Sequence, residues 1–228
     1  MPFASHILFA ALGLLSPALA FPAKSTVLEA RQSQTNYRYT LTAYAPNNTT
    51  LNGAKSQNGG TLFAEKVGQY CPTIVGSSCP NGTDTVYVGG LTPSSMVPGG
   101  QELYVAADGA IQITVQHSHE IPSGAYPSYK GWSYNALPTA NDSDVTSMAN
   151  CPLDSPRYNC ETPLGYWTFQ APDAAKDVGG VVACPSPYSP DKAVAYAVTP
   201  KFNRTDCTPM LGLGTHNYTG VFPPVWSY

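Results

Sequence analysis

Charged side chains are scarce in this sequence. Lysine, arginine, aspartate and glutamate make up 11% of its 228 residues, against about 25% in an average soluble protein. The formal net charge is −3, and no stretch is rich in lysine or arginine. Because nucleic acids and anionic membranes are bound through such basic clusters, neither is expected as a partner. The 14 acidic residues also show no obvious pair of the kind that glycosidases use.

Helical periodicity and metal-binding spacing are missing as well. No segment repeats its apolar residues every three to four positions over a helical length, so we expect very little helix. The cysteines and histidines lack the paired spacing of a zinc site. Residues 131–135 contain a serine but lack the second glycine of a hydrolase nucleophile elbow. We therefore predict no catalytic residue, no metal, no cofactor and no enzymatic activity.

The N-terminus has the pattern of a secretory signal over residues 1–20. An apolar run, Ile7–Leu15, precedes Pro17 and the small-residue site Ala18-Leu19-Ala20. Residues 21–36 are polar and are interpreted as a flexible segment, and 37–228 as a single β domain. No later run reaches the ~18 apolar residues of a membrane span, and the C-terminal end lacks the tail of a GPI signal. An extracellular protein, soluble or held in a cell wall, is expected.

Alternation of apolar and polar residues predicts an all-β fold. The clearest hairpin joins Leu103–Val105 to Ile111–Val115 through an Asp108-Gly109 turn, and we expect it at the centre of the core. An irregular loop is expected over Pro122–Pro163. The short strands favour a single-domain antiparallel β-sandwich or barrel, with a β-trefoil as the second choice. The other predicted strands are Tyr37–Tyr44, Thr61–Gln69, Thr85–Val88, Gly165–Gln170, Gly179–Cys184 and Ala193–Thr199.

The sequence contains six cysteines, an even number that indicates disulfides in a secreted chain. Fifteen pairings are possible, and the spacing favours three nearest-neighbour loops. Proline follows four of the six cysteines, which favours extended backbone there. The bridges are therefore expected to staple loops and strand ends. The proposed pairs are Cys71–Cys79, Cys151–Cys160 and Cys184–Cys207.

Asparagine sequons and clustered aromatic residues are the other candidate surface sites. In a secreted protein, Asn-X-Ser/Thr sequons mark exposed turns that can be N-glycosylated. The sequons begin at Asn47, Asn48, Asn81, Asn141, Asn203 and Asn217, and the first two overlap. Four aromatic residues in the expected loop present either a stacking platform for sugar rings or anchors that fix the loop to the core. They are Tyr126, Tyr129, Trp132 and Tyr134.

Two histidines near the end of the predicted hairpin suggest a metal site as an alternative. On a strand, His117 and His119 would face the same side, as in metal-binding cupins, with His216 as a possible third ligand. Glu120 would face away from both. Polar residues that end a strand before Pro122 are the simpler interpretation, and no metal site is predicted.

Several phrases in order resemble the fungal cell-wall protein PhiA and the related secreted "IgE-binding proteins" of filamentous ascomycetes. These phrases are Cys71-Pro72, SCPNGT, VYVGGL, MVPGGQELYV, ADGAIQITVQHS, Ile121–Gly124, GVVACP, Asn203–Cys207 and Trp226-X-Tyr228. The resemblance implies a secreted, glycosylated wall protein that supports phialide and conidium development and acts as an allergen. It implies no catalytic residues. Wall polysaccharide, or another wall component, is the expected partner, bound structurally or through a lectin-like module; a hydrolase is a weaker alternative.

Overall fold

The computed structural model of the chain describes residues 37–138, 148, 151–152, 155–174 and 178–228. The predicted signal and the predicted flexible segment lie outside these residues, as does Asn141. Within the part of the chain that the structure describes, no helix has the length and apolar character needed to cross a membrane.

The described residues are almost entirely strands, turns and loops, which confirms the all-β prediction. A 3₁₀ helix, Thr73–Ser78, lies in the loop closed by the first disulfide. The strands are β1 (Arg38–Tyr44), β2 (Lys55–Gln57), β3 (Thr61–Leu62), β4 (Tyr87–Val88), β5 (Thr92–Pro93), β6 (Leu103–Val105), β7 (Ile111–Ile113), β8 (Tyr126–Pro127), β9 (Trp132–Ala136), β10 (Gly165–Phe169), β11 (Val181–Pro185), β12 (Ala193–Ala197), β13 (Thr208–Met210) and β14 (Gly212–Asn217).

The strands form two antiparallel sheets. The larger sheet has the order β13-β11-β12-β3-β2-β1-β14-β10-β9, and β4 and β5 extend it from β1. It curls back on itself, because Leu211 alone separates β13, at one end of this order, from β14, which lies beside β1. The smaller sheet has the order β7-β6-β8. This topology agrees with the sandwich or barrel interpretation, and the strands of the described residues form no threefold unit of a trefoil.

Strand β1 illustrates how side-chain alternation builds the core. Tyr39, Leu41 and Ala43 are buried in the core cluster, as expected for alternate residues on one face of a strand. Buried residues of the smaller sheet, Leu103 and Val105, belong to the same cluster. The two sheets therefore enclose one core. Burial of each such leucine contributes about 2 kcal/mol to the free energy of unfolding, from the apolar area that it removes from water.

The predicted hairpin forms, but it lies in the smaller sheet instead of at the centre. Gly109 adopts a φ of 95° in the turn, and its carbonyl accepts a 2.9 Å hydrogen bond from Ala197 of β12. The turn thus joins the two sheets. The second strand ends at Ile113, and Val115 is 71% exposed. The chain turns there, with the N–H of Ser118 donating to the carbonyl of Val115.

Two further predictions of local structure are wrong. The strand predicted over Thr61–Gln69 ends at Leu62, because Phe63 takes a positive φ of 64° and leaves the ladder. The loop predicted over Pro122–Pro163 contains β8 and β9. Strand β9 pairs along its length with β10, so Trp132 lies opposite Phe169. The alternation in β9 covers five residues and lies among serine, glycine and proline residues that are typical of loops.

The outer face of the larger sheet buries a histidine. His216 is 1% exposed, and its Nε2 lies 2.8 Å from Oγ1 of Thr42 on the neighbouring strand. No hydrogen-bond partner for its Nδ1 is present among the described residues. Pro163 packs over the neighbouring Gly214. Burial lowers the pKa of His216 to about 4 from its ordinary value of 6.5, so the folded protein holds the neutral imidazole.

This burial predicts a loss of stability in mild acid. Between pH 6.5 and 4 the unfolded chain binds a proton at His216 that the folded chain does not. The free energy of unfolding is therefore unaffected by this group above pH 6.5 and decreases as the pH falls below it, by about 3 kcal/mol at pH 4. Urea unfolding at pH 7 and pH 4 checks this: His216→Gln should show a smaller decrease than the parent protein. Equal decreases in both would contradict it.

Candidate functional site

One edge of the larger sheet carries a groove. Strands β1, β3 and β11 end at this edge, whereas β12 and β13 begin there, because each pair along the path β1-β2-β3-β12-β11-β13 is antiparallel. The groove, called here the rim groove, has a volume of about 270 Å³. It lies between the turn at Asn48–Leu51, Phe63, and the residues Cys184–Pro185, Lys192 and Asp206–Thr208. Pockets at barrel ends are common ligand sites.

The groove combines ring faces with neutral hydrogen-bonding groups. Phe63, Pro185 and Pro190 supply rigid apolar surfaces, and Asn48 and Thr208 supply an amide and a hydroxyl. Phe63 is held edge-on by Tyr158, with 5.7 Å between the ring centroids. A sugar ring presents an apolar face and a rim of hydroxyls, so this lining suits a carbohydrate.

Asp206, the acidic residue among the described lining residues, already forms an ion pair with Arg204. The guanidinium of Arg204 donates two hydrogen bonds to Asp206, of 3.0 and 2.7 Å, and a third to the carbonyl of Pro185 at 2.9 Å. These bonds lower the pKa of Asp206, so its carboxylate stays ionised at neutral pH. A carboxylate held in this way is a poor proton donor. Lys192 is the other charged residue of the lining and is half-buried.

The turn beside the groove is fixed by two asparagine side chains. The side-chain oxygen of Asn48 accepts hydrogen bonds from the backbone N–H groups of Thr50 (3.1 Å) and Leu51 (3.0 Å). The side-chain oxygen of Asn52 accepts one from the N–H of Ala45 (3.0 Å). Such asparagine turns hold a loop without regular secondary structure. The groove is therefore bordered by a defined turn.

The structure contains three disulfides, and they join the pairs favoured by the spacing. These are Cys71–Cys79, Cys151–Cys160 and Cys184–Cys207. The third lies directly at the rim groove, because Cys184 belongs to its lining and Cys207 lies between the lining residues Asp206 and Thr208. It ties the end of β11 to the start of β13.

The four aromatic residues of the predicted sugar platform are separated. Tyr126 and Trp132 both pack edge-on against Phe169, with centroids 5.6 and 5.3 Å away. Tyr134 packs against Trp167 at 5.2 Å. These three rings anchor β8 and β9 to the core, whereas Tyr129 is 77% exposed. The structure therefore favours the anchoring interpretation for three of them, and sugar contact by Tyr129 stays a prediction.

The sequons and the histidines occupy different surroundings. Asn47, Asn81, Asn203 and Asn217 are exposed, whereas Asn48 is half-buried. His117 and His119 are exposed beside the smaller sheet, and His119 Nδ1 lies 3.0 Å from Glu102 Oε1. His117 has a positive φ of 59° and is not in a strand. The described residues contain no group of three metal-binding side chains, and His216 is bonded to Thr42 elsewhere.

The rim groove itself was not predicted from the sequence. Its residues come from segments that are up to 160 positions apart, and each segment taken alone resembles an ordinary turn. The nearest local signal was the last cysteine pair with the proline that follows Cys184, which marked strand ends without showing that they meet.

Comparison with known proteins finds a secreted fungal relative of this chain. It is 33% identical over 126 residues to a protein of Arthroderma benhamiae described as an uncharacterized secreted protein. This is a secreted fungal protein. The match covers 52% of this chain and 64% of the relative, so the chain spans under two thirds of that protein. No family model matches the chain, and no solved structure matches it. The three disulfides agree with an extracellular location.

The Cys184–Cys207 bridge is expected to contribute more stability than the Cys71–Cys79 bridge. It closes a loop with a sequence separation of 23 instead of 8, which corresponds to about 3 against about 2 kcal/mol in the loop-entropy model. Each bridge is replaced by a pair of alanines, and the free energy of unfolding is measured in guanidinium chloride. An equal or larger loss for the shorter loop would show that loop closure does not set the difference.

Proposed function

We propose that this secreted protein acts without catalysis in the fungal cell wall, where the rim groove binds wall polysaccharide. The proposal is supported by the location, by the small number of charged residues and by the resemblance to wall proteins of the PhiA type. A wall polysaccharide offers many identical sugar units to a protein outside the cell. Weak single contacts are enough for retention, because repeated rebinding to neighbouring units raises the apparent affinity.

The observation that carries the proposal is the chemistry of the groove lining. Phe63 and two prolines provide flat apolar faces, and Asn48 and Thr208 provide a donor and acceptors beside them. A neutral sugar matches both features. Among the described lining residues, Asp206 is paired with Arg204, which leaves the charge of Lys192 alone to attract a strongly charged ligand.

The same lining gives no support to glycoside hydrolysis. That reaction needs two carboxyl groups about 5 to 9.5 Å apart on either side of the bond, one of them able to donate a proton. Among the described residues that line the groove, Asp206 is the one acid, and its oxygens accept the hydrogen bonds of Arg204. A binding role therefore fits these residues better than a hydrolytic one.

A bulky substitution at Thr208 is expected to weaken retention on polysaccharide. Thr208 is exposed at the start of β13, so Thr208→Arg would extend a charged chain over the groove without disturbing the core. Thr92→Arg is a matched control, because Thr92 is also an exposed threonine that precedes a proline in a short strand. Purified secreted variants are incubated with insoluble β-glucan and with chitin, and the bound fraction is measured at several salt concentrations.

The parent protein and Thr92→Arg should be retained on at least one polysaccharide, and Thr208→Arg should lose at least tenfold in affinity. Equal retention of all three proteins would show that the rim groove is not the binding site. Retention that is lost instead in Tyr129→Ala would move the site to the exposed aromatic. Binding of none would contradict the proposal as a whole.

The resemblance to the PhiA type extends the proposal to development and to immune recognition. Removal of the protein from its fungus is expected to lower the number of conidia per colony, because the wall of the spore-forming cell would lack a component. Conidia are counted in the deletion strain and in a strain that expresses the protein again. Unchanged counts would restrict the proposal to a wall role without a developmental effect. IgE binding is tested separately, with sera of sensitised patients.

A further inference from the structure

A second groove adjoins the rim groove and shares Asn48 and Thr208 with it. It has a volume of about 380 Å³ and is called here the sequon groove. Its lining is mostly apolar and includes Pro46, Pro209 and Leu211. Leu211 is 55% exposed, although its backbone N–H is bonded to the carbonyl of Tyr44. The groove thus offers a small apolar surface beside Asn47, of a size that one or two sugar rings can cover.

Two overlapping sequons lie at the border of this groove. Asn47 requires the hydroxyl residue Thr49, and Asn48 requires Thr50. The structure distinguishes the two asparagines. Asn47 is exposed and lines the sequon groove. Asn48 is half-buried between the two grooves, and its side chain holds the turn through the N–H groups of Thr50 and Leu51.

We propose that Asn47 carries an N-linked glycan and that its first sugar units lie in the sequon groove. N-acetylglucosamine has an apolar ring face and an acetyl methyl group, which suit the surfaces of Pro209 and Leu211. The covalent link supplies the sugar at a high effective concentration, in the millimolar range for a short tether. A weak apolar contact is therefore enough to fill the groove.

This assignment also separates the roles of the two neighbouring grooves. A glycan on Asn48 would emerge beside Phe63 and Thr208 and obstruct the rim groove, because Asn48 borders both. A glycan on Asn47 covers the apolar side and leaves the polar side open. The glycan is a covalent modification of this chain, so its presence does not depend on polysaccharide binding.

Substitution of the two threonines separates the overlapping sequons without changing either asparagine. Thr49→Ala removes the sequon of Asn47 and keeps that of Asn48, and Thr50→Ala does the reverse. Thr50 takes part in the hydrogen bonds at this turn through its backbone N–H and carbonyl, so both alanines preserve them. Each variant is secreted from a fungal host, and the glycan is released enzymatically in ¹⁸O water, which marks the carrier residue as labelled aspartate.

The proposal predicts that the parent and Thr50→Ala carry a glycan on Asn47, and that Thr49→Ala carries none on residues 47–48. A label on Asn48 in the parent, or no label at either residue, overturns it. Thr49→Ala should still bind polysaccharide as the parent does, which distinguishes this proposal from the one about the rim groove.

Contact with the groove is tested on the glycosylated parent protein by nuclear Overhauser effects. The acetyl methyl protons of the first sugar are expected to show effects to the side chains of Pro209 and Leu211. In Leu211→Ser the effects to residue 211 should disappear while the glycan remains on Asn47. A glycan on Asn47 whose sugar signals show no protein contact would overturn the placement in the groove.

Discussion

The pairing of β1 with β14 is the constraint on which the rest of the structure depends. Six residue pairs, from Tyr39↔Asn217 to Tyr44↔Gly212, join segments that are about 170 positions apart in the chain. Strand β1 also pairs with β2 and β4, and β14 also pairs with β10. Every strand of the larger sheet is therefore placed relative to this one ladder. The curl that brings the two grooves together follows from the same pairing, since Leu211 alone separates β14 from β13 at the end of the sheet.

Strand β14 explains both what could be predicted and what could not. Strands with clear alternation, such as β1 and β10, were predicted because each has a buried face. Strand β14 was missed because glycines at 212 and 214 remove the side chains that alternation requires. The reason is spatial: a Cβ at Gly212 would collide with the carbonyl of Trp167, and one at Gly214 would lie 3.1 Å from Thr42 Oγ1. The requirement for glycine comes from the neighbouring strands, so it cannot be predicted from the local sequence pattern.

The two grooves likewise could not be predicted from the local sequence. The cysteine spacing indicated the bridge that ties β11 to β13, and the sequons indicated exposed turns. Neither showed that these features meet at one edge of the sheet. Three of the four aromatic residues predicted to contact sugar pack in or against the core. Phe63, which follows a short strand and was not singled out, lines the groove. The chemistry depends on tertiary placement, and the residue types alone do not reveal it.

Binding of polysaccharide at the rim groove is the central claim, and a titration followed by nuclear magnetic resonance tests it most directly. Backbone amide shifts of the secreted protein are recorded with increasing β-glucan and chitin oligosaccharides. Saturable shifts should concentrate at Phe63, Lys192 and Thr208 for at least one oligosaccharide, and should be absent around Tyr129. Shifts centred on Tyr129, or no saturable shift with either oligosaccharide, would contradict the account.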